Sequence, residues 1–211
     1  MSPVVSSFER YAKQLCANDD PVLKEMEAQA HALEIRPLGP VVGQLLLVLA
    51  TAVNARRVLE IGSGLGYSAY WFCKAVGPEG DVVLTETDPA LAEHARRFLT
   101  LGGFADRITV HPVDADQTLL EVAGEFDIIF LNCQKADYPS FLDLTLSRLR
   151  TGGLLIANDV LAQHRVLHED TSGDRDAQAL KVFNQKLFRE PRLASMIMPL
   201  HDGISVSVKV A

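Results

Sequence analysis

The chain has 211 residues and a mass of 23.1 kDa, enough for one domain with a sizeable core. Its formal net charge of −7 argues against nucleic acid as a partner, because phosphate recognition leaves a basic footprint. The 48% hydrophobic content fits an α/β protein with fully buried strands, and the apolar run 45–53 is far too short to cross a bilayer. Three widely spaced cysteines, Cys16, Cys73 and Cys133, suit reduced thiols in a cytoplasmic protein better than a disulfide framework. The first residues show no basic segment followed by an apolar core, so no secretory signal is expected.

Two amphipathic helices are expected near 7–17 and 21–34, the second with Pro21 in its first turn and Asp19 or Asp20 as its cap. A turn over 36–40 leads to an apolar helix over 41–54. Strands and helices then alternate: strand 57–61 and helix 67–76, strand 81–86 and helix 89–101, strand 108–111 and a short helix near 115–122. Strand 126–131 precedes a helix over 139–150, and strand 154–158 follows. Alternating units of this length predict a parallel sheet with helices on both faces. The polar stretch 163–176, with Gly173 in it, reads as a loop. A helix over 177–189 and two strands, 194–200 and 204–210, close the chain. His201-Asp202-Gly203 between those strands is a tight-turn signal, and Ile204, Val206, Val208 and Val210 alternate with polar residues as an antiparallel edge would.

The densest signal is Val58-Leu59-Glu60-Ile61-Gly62-Ser63-Gly64-Leu65-Gly66-Tyr67-Ser68, an apolar strand running into a glycine-rich turn. A dinucleotide fingerprint spaces its glycines as G-x-G-x-x-G and faces a pyrophosphate. Here the third glycine comes one residue early, and Glu60 would repel a pyrophosphate while suiting a cofactor with a sulfonium and an amino group. The pattern resembles motif I of S-adenosylmethionine (SAM)-dependent methyltransferases. Glu86, at the end of the second strand, stands where a Rossmann-like domain places the carboxylate that accepts from ribose hydroxyls. Asp88-Pro89 reads as a helix cap. Asp114-Ala115 falls where methyltransferases contact adenine, although that aspartate could equally cap a helix. The resulting expectation is a Rossmann-like class I methyltransferase fold: one domain over 1–211, with N-terminal helices over 1–54 on the acceptor side and a core over 55–211. Its sheet would have seven strands, mostly parallel, ending in an antiparallel hairpin.

From Leu38 onward the chain resembles the family-3 O-methyltransferases, which include catechol and caffeoyl-CoA O-methyltransferases. The matching pieces run in order: Gly39-Pro40-x-x-Gly43-Gln44-Leu45-Leu46, the motif I strand and turn, Glu86-x-Asp88-Pro89, Asp106-Arg107-Ile108 and Phe126-Asp127. Lys135-x-x-Tyr138, Gly152-Gly153-Leu154, Phe183-Asn184 and Pro199-Leu200-His201-Asp202-Gly203 complete the series. The resemblance implies methyl transfer from SAM to a phenolic, catechol-like hydroxyl of a small molecule, with Lys135 as general base. It carries the cofactor contacts onto Val42, Glu60, Gly62, Gly64, Gly66, Ser68, Glu86, Asp114, Ala115 and Asn132. It also implies a homodimer, which would cover apolar N-terminal helices.

In such enzymes a divalent ion, commonly Mg²⁺, is held by an aspartate after the fourth strand and an Asp-Asn pair after the fifth. This chain has Asn132 at the first position and Asn158-Asp159, in reversed order, at the pair. Mg²⁺ dehydrates reluctantly and normally relies on one or two carboxylates plus water. Either Asp159 with Asn132 and Asn158 holds a weak ion, or the chain works without metal through Lys135; the second reading is favoured. Cys133 reads as a small buried residue, and His164 and His168 as solvated loop side chains. The competing class is a non-catalytic SAM-binding protein whose acceptor site has lapsed. A nicotinamide oxidoreductase is disfavoured by the glycine spacing and Glu60.

Overall fold

A computed structural model describes residues 3–17 and 19–211. Its elements are α1 (Pro3–Leu15), α2 (Pro21–Ala32), α3 (Gly39–Ala52), β1 (Arg57–Ile61), α4 (Tyr67–Val76), β2 (Asp81–Thr85), α5 (Pro89–Leu101), β3 (Ile108–His111), α6 (Ala115–Glu121), β4 (Phe126–Leu131), α7 (Tyr138–Leu146), β5 (Leu149–Ala157), α8 (Arg175–Arg189), β6 (Leu193–Met198) and β7 (Ile204–Lys209). Single turns of 3-10 helix cover Ala105–Arg107, Lys135–Asp137 and Arg165–Leu167. The seven strands form one sheet in the order β3-β2-β1-β4-β5-β7-β6. Pairing is parallel at β2–β3, β1–β4 and β4–β5 and antiparallel at β5–β7 and β7–β6, as the alternation in the sequence requires. By contacts the chain divides into two compact units, one taking in the chain up to Arg56 with Ser63–Asp114, the other Arg57–Gly62 with Ala115–Ala211.

In the first unit α2 is tied down by its polar residues. Asp20 caps it, one carboxylate oxygen accepting from the amide of Val22 at 3.0 Å. The other oxygen accepts from the Tyr70 hydroxyl on α4 at 2.9 Å, and Glu27 accepts from Tyr67 at 2.7 Å. Burial, and then the neighbouring carboxylate, push both phenols above their ordinary range, so each stays a donor. Helices α3 and α4 meet at Gly43, where a Cβ would stand 2.2 Å from Nε1 of the buried Trp71. That approach is the physical content of the glycine in the Gly39–Leu46 motif. On α1, Phe8, Tyr11 and Leu15 lie at helical spacing and are exposed.

In the second unit Asp127, early in β4, joins the starts of two neighbouring strands. One carboxylate oxygen accepts from the Arg57 amide at 2.8 Å and the other pairs with Arg150. Strand β5 differs from expectation: it begins at Leu149, and the helix predicted over 139–150 ends at Leu146. Gly152-Gly153 hid this half of the strand, since two glycines break an apolar pattern. They sit at a shift of register against β4, where a Cβ on Gly153 would meet the Asp127 carbonyl oxygen at 2.8 Å. Other boundaries move less. Helix α1 starts at Pro3, α8 starts at Arg175, β6 spans Leu193–Met198, and the predicted loop 163–176 contains the 3-10 turn at Arg165–Leu167. Among the described residues no helix is long and apolar enough to cross a membrane.

Candidate active site

In the first unit the glycine turn is closed by Glu86. The amide of Gly64 donates to Oε2 of Glu86 at 2.7 Å, and Oε1 accepts from the Asp88 amide at 3.0 Å. Backbone bonds fix the rest: Ser63 N–H to the Thr85 carbonyl at 2.9 Å and Gly66 N–H to the Ser63 carbonyl at 3.0 Å. The glycines are not equivalent. A Cβ on Gly66 would press on Ala95 of α5 at 3.1 Å, whereas one on Gly64 would meet nothing within 4 Å among the described residues. Backbone approach to a ligand is therefore open at Gly64, and a half-buried carboxylate sits directly behind it, which fits a ribose-bearing cofactor. Val42 and Ser68 are buried on α3 and α4. Asp114 is exposed just ahead of α6, and Ala115, the first residue of that helix, is buried.

In the second unit the ends of β1, β4 and β5 step across one another. The Asn132 amide donates to the Ile61 carbonyl at 2.8 Å and the Asn158 amide to the Leu131 carbonyl at 3.0 Å. Glu60 is completely buried on β1. Gly62 touches the end of β4 so closely that a Cβ would lie 2.7 Å from Cα of Cys133 and 2.8 Å from the Asn132 carbonyl oxygen.

Lys135 opens the 3-10 turn after β4, and its chain folds back over the Tyr138 ring, Nζ 4.9 Å from the centroid. Nζ donates to the Tyr138 hydroxyl at 3.0 Å and to the Cys133 carbonyl at 3.3 Å, and lies 3.7 Å from Oδ2 of Asp159. Burial pushes the lysine below its ordinary pKa, and Asp159 opposes that without cancelling it. Tyr138 is wholly buried and is pushed well above its ordinary range, again by burial first. Its single proton is shared between the carbonyls of Leu131 (3.0 Å) and Asn158 (2.9 Å), so toward Lys135 it can only accept. Both close partners of Nζ are thus acceptors. A neutral amine satisfies them with its two N–H bonds and keeps its lone pair at the remaining tetrahedral position. That is the arrangement a general base needs.

The loop after β5 is held by the turn between β6 and β7. The amides of Val160 and Leu161 donate to the carbonyls of Gly203 and Asp202, each at 3.0 Å, and Gln163 N–H donates to Oδ2 of Asp202 at 2.6 Å. Asn184 on α8 donates to the Val160 carbonyl at 2.9 Å, while its neighbour Phe183 packs edge-on against Tyr138. The Phe183-Asn184 and His201–Gly203 motifs are therefore supports of the same loop. Asp159 takes a left-handed conformation, φ 55°, and its Oδ1 lies 2.7 Å from Nδ1 of His201.

The amide and carboxylate groups expected at a metal site are engaged with one another or with basic groups. Asn158 Nδ2 donates to Asn132 Oδ1 at 3.0 Å, and Asp159 is flanked by His201 and Lys135. A hard dication needs oxygen ligands with carboxylates among them, and the single carboxylate here faces two nitrogens. These residues do not fit a divalent cation. Among the described residues no group of three or more His, Cys, Asp or Glu could hold a metal ion. His201 is the residue that the sequence reading treated only as part of a turn. Its signal was available: antiparallel pairing of β5 with β7, Ala157 opposite Ser205, brings the turn before β7 beside the residues after β5.

Sheet order and glycine turn together define a Rossmann-like methyltransferase. The chain belongs to the O-methyltransferase family, whose profile, described as "O-methyltransferase", matches residues 13–210, and it is SAM-dependent. It is 35% identical over 194 residues to a catechol O-methyltransferase of Mycobacterium tuberculosis, covering 90% of this chain and 87% of that one. Two solved structures superpose with TM-scores of 0.88 at 25% identity. They are the O-methyltransferase TomG of Streptomyces achromogenes in complex with SAM, covering 97% of this chain and 96% of that one, and an O-methyltransferase of Bacillus cereus in complex with SAH, covering 96% and 97%.

Proposed function

We propose that the protein moves the methyl group of SAM to a phenolic, catechol-like hydroxyl of a small molecule, with Lys135 accepting the hydroxyl proton and no divalent cation taking part. The observation that carries this reading is the largely buried Lys135 nitrogen, with two hydrogen-bond acceptors at 3.0 and 3.3 Å and one further position left for the acceptor's proton. The cofactor supplies an electrophilic methyl on a sulfonium. Glu86 and the backbone of Gly62, Gly64 and Gly66 would hold it, with Glu60, Val42, Ser68, Asp114, Ala115 and Asn132 as further contacts. The 35% identical relative named for catechol supports the choice of acceptor class.

The deciding assay is methyl transfer from SAM to caffeic acid, run with Mg²⁺ and with EDTA. Turnover unchanged by EDTA is expected; turnover abolished by EDTA would overturn the metal-free reading. The mutual Asn132–Asn158 hydrogen bond also suits the competing class, a SAM-binding protein with a lapsed acceptor site. SAM binding without transfer to any of a panel of catechols would favour that class. We further propose a homodimer in the cytoplasm, formed over the exposed Phe8, Tyr11 and Leu15 face of α1, with Cys16, Cys73 and Cys133 as reduced cysteines outside any disulfide. Light scattering at micromolar concentration should read twice the chain mass, and Phe8→Glu with Leu15→Glu should halve it. A monomer in the unmodified protein would refute the dimer.

A further inference from the structure

We propose that His201 is a positioning residue of the methyl-transfer site, whose ring nitrogen holds the Asp159 carboxylate back from Lys135 and so keeps one position on the lysine nitrogen open to the acceptor hydroxyl. The inference rests on the reading of Lys135 as the base. It starts from two unequal distances: Oδ1 of Asp159 is 2.7 Å from Nδ1 of His201, a full hydrogen bond, whereas Oδ2 is 3.7 Å from Nζ of Lys135, beyond one. A carboxylate can only accept, so Nδ1 donates.

The backbone does not by itself decide which partner the carboxylate prefers. Asp159 is fixed at φ 55° by the loop that Asp202 and Gly203 clamp, but its side chain can still rotate about χ1. Released from His201, it would tighten the existing 3.7 Å ion pair with Nζ into a direct hydrogen bond. The lysine nitrogen would then be clasped on three sides, by Tyr138, Cys133 and Asp159, with no tetrahedral position left for the acceptor's proton. His201 is well placed to prevent this. It is 11% exposed, it sits on the turn that clamps the loop, and its other ring nitrogen, Nε2, is buried with no hydrogen-bond partner among the described residues. Leaving such an atom unpaired costs about 1–3 kcal/mol, so the ring is not there as mere filling. The place where the family resemblance implies a cation is thus occupied by an internal contact between a histidine and a carboxylate.

The test is a mutant cycle read in steady-state kinetics. His201→Ala should lower kcat about 10- to 100-fold, the scale of a misplaced reacting group, with KM for SAM unchanged. His201→Asn, whose amide can donate to Asp159, should recover most of that loss. The decisive arm is the double variant: without the charge that would clasp Lys135, adding His201→Ala to Asp159→Asn should cost less than twofold beyond Asp159→Asn alone. Wild-type kcat in His201→Ala, or an equal penalty for His201→Ala in both backgrounds, overturns the inference. Lys135→Ala run alongside separates the two readings. If Lys135→Ala is inactive and His201→Ala is unaffected, only the role of His201 fails; if Lys135→Ala turns over normally, the base itself is wrong and this inference falls with it. Should His201→Ala melt below the assay temperature, His201→Asn against His201→Leu makes the same comparison, with and without a donor.

Discussion

Lys135→Ala is expected to lower kcat by about 10²–10⁴-fold, the usual contribution of a positioned general base, while SAM binding stays within a few-fold of wild type. Lys135→Arg should not rescue it, because a guanidinium stays protonated and cannot take up the acceptor's proton. The pH dependence has a definite sign. Burial lowers the folded-state pKa of Lys135 below its ordinary 10.5. Between the lowered value and 10.5 the unfolded chain therefore binds the extra proton, so stability rises with pH across that window. Below the lowered pKa the cost of the buried ammonium is fully present. Lys135→Met, which removes the charge and keeps the bulk, should then be as stable as wild type or more so at pH 7, and its stability should lose that pH slope. The rate should behave in parallel. In the wild type log kcat should climb with pH with unit slope and level off above the lowered pKa; in Lys135→Ala the residual rate should be flat. Stopped assays and thermal melts across pH 6–10 make both comparisons. A Lys135→Ala enzyme with wild-type kcat would remove the lysine from the chemistry, whatever its burial.

Much of this arrangement was legible in the sequence because it is local. A buried parallel strand is an apolar run of fixed length, and Phe126–Leu131 could scarcely be anything else; the Gly62–Gly66 turn and the Asp88-Pro89 cap are likewise written in adjacent residues. Local reading failed where tertiary packing overrides pattern. Gly152-Gly153 breaks an apolar run and so concealed the first half of β5, yet Gly153 is there because the Asp127 carbonyl leaves no room for a side chain, and Gly152 because the backbone turns to φ +79°. The site divides in the same way. Lys135 and Glu86 were recognisable by their positions at strand ends. The partner of Asp159 was not, because His201 is 42 residues away and reaches it only through the antiparallel pairing of β5 with β7. Asn132 and Asn158 stood out as departures from the resemblance. Their hydrogen bond to each other needed coordinates.

Two glycines of a single motif should fail in different ways when each is replaced by alanine. Gly62 has φ +81°, and its Cβ would stand 2.7 Å from Cα of Cys133 and 2.8 Å from the Asn132 carbonyl oxygen. Both are backbone atoms of the β4 end and cannot swing aside. The left-handed conformation costs a side-chain-bearing residue about 1–2 kcal/mol, and the forced overlap about 1–3 kcal/mol more. Gly62→Ala should therefore lose about 2–5 kcal/mol, a fall in Tm of about 5–20 °C for a chain of this size. Gly64, at φ +55°, carries only the conformational cost, since nothing among the described residues lies within 4 Å of the added methyl, and its amide bond to Glu86 can persist. The Tm of Gly64→Ala should fall by less, the conformational part alone. The new methyl, however, projects into the space through which a cofactor would approach the turn, so its affinity for SAM should drop at least about tenfold, by steric overlap with the ligand. Calorimetric titration with SAM and thermal melts of both variants read the two effects separately. If Gly64→Ala binds SAM like wild type, the open face at Gly64 is not the cofactor's approach, and Glu86 loses its proposed role with it. If Gly62→Ala melts like wild type, the end of β4 yields where it is expected to be rigid, and Lys135, three residues beyond Asn132, is held less firmly than its hydrogen bonds imply.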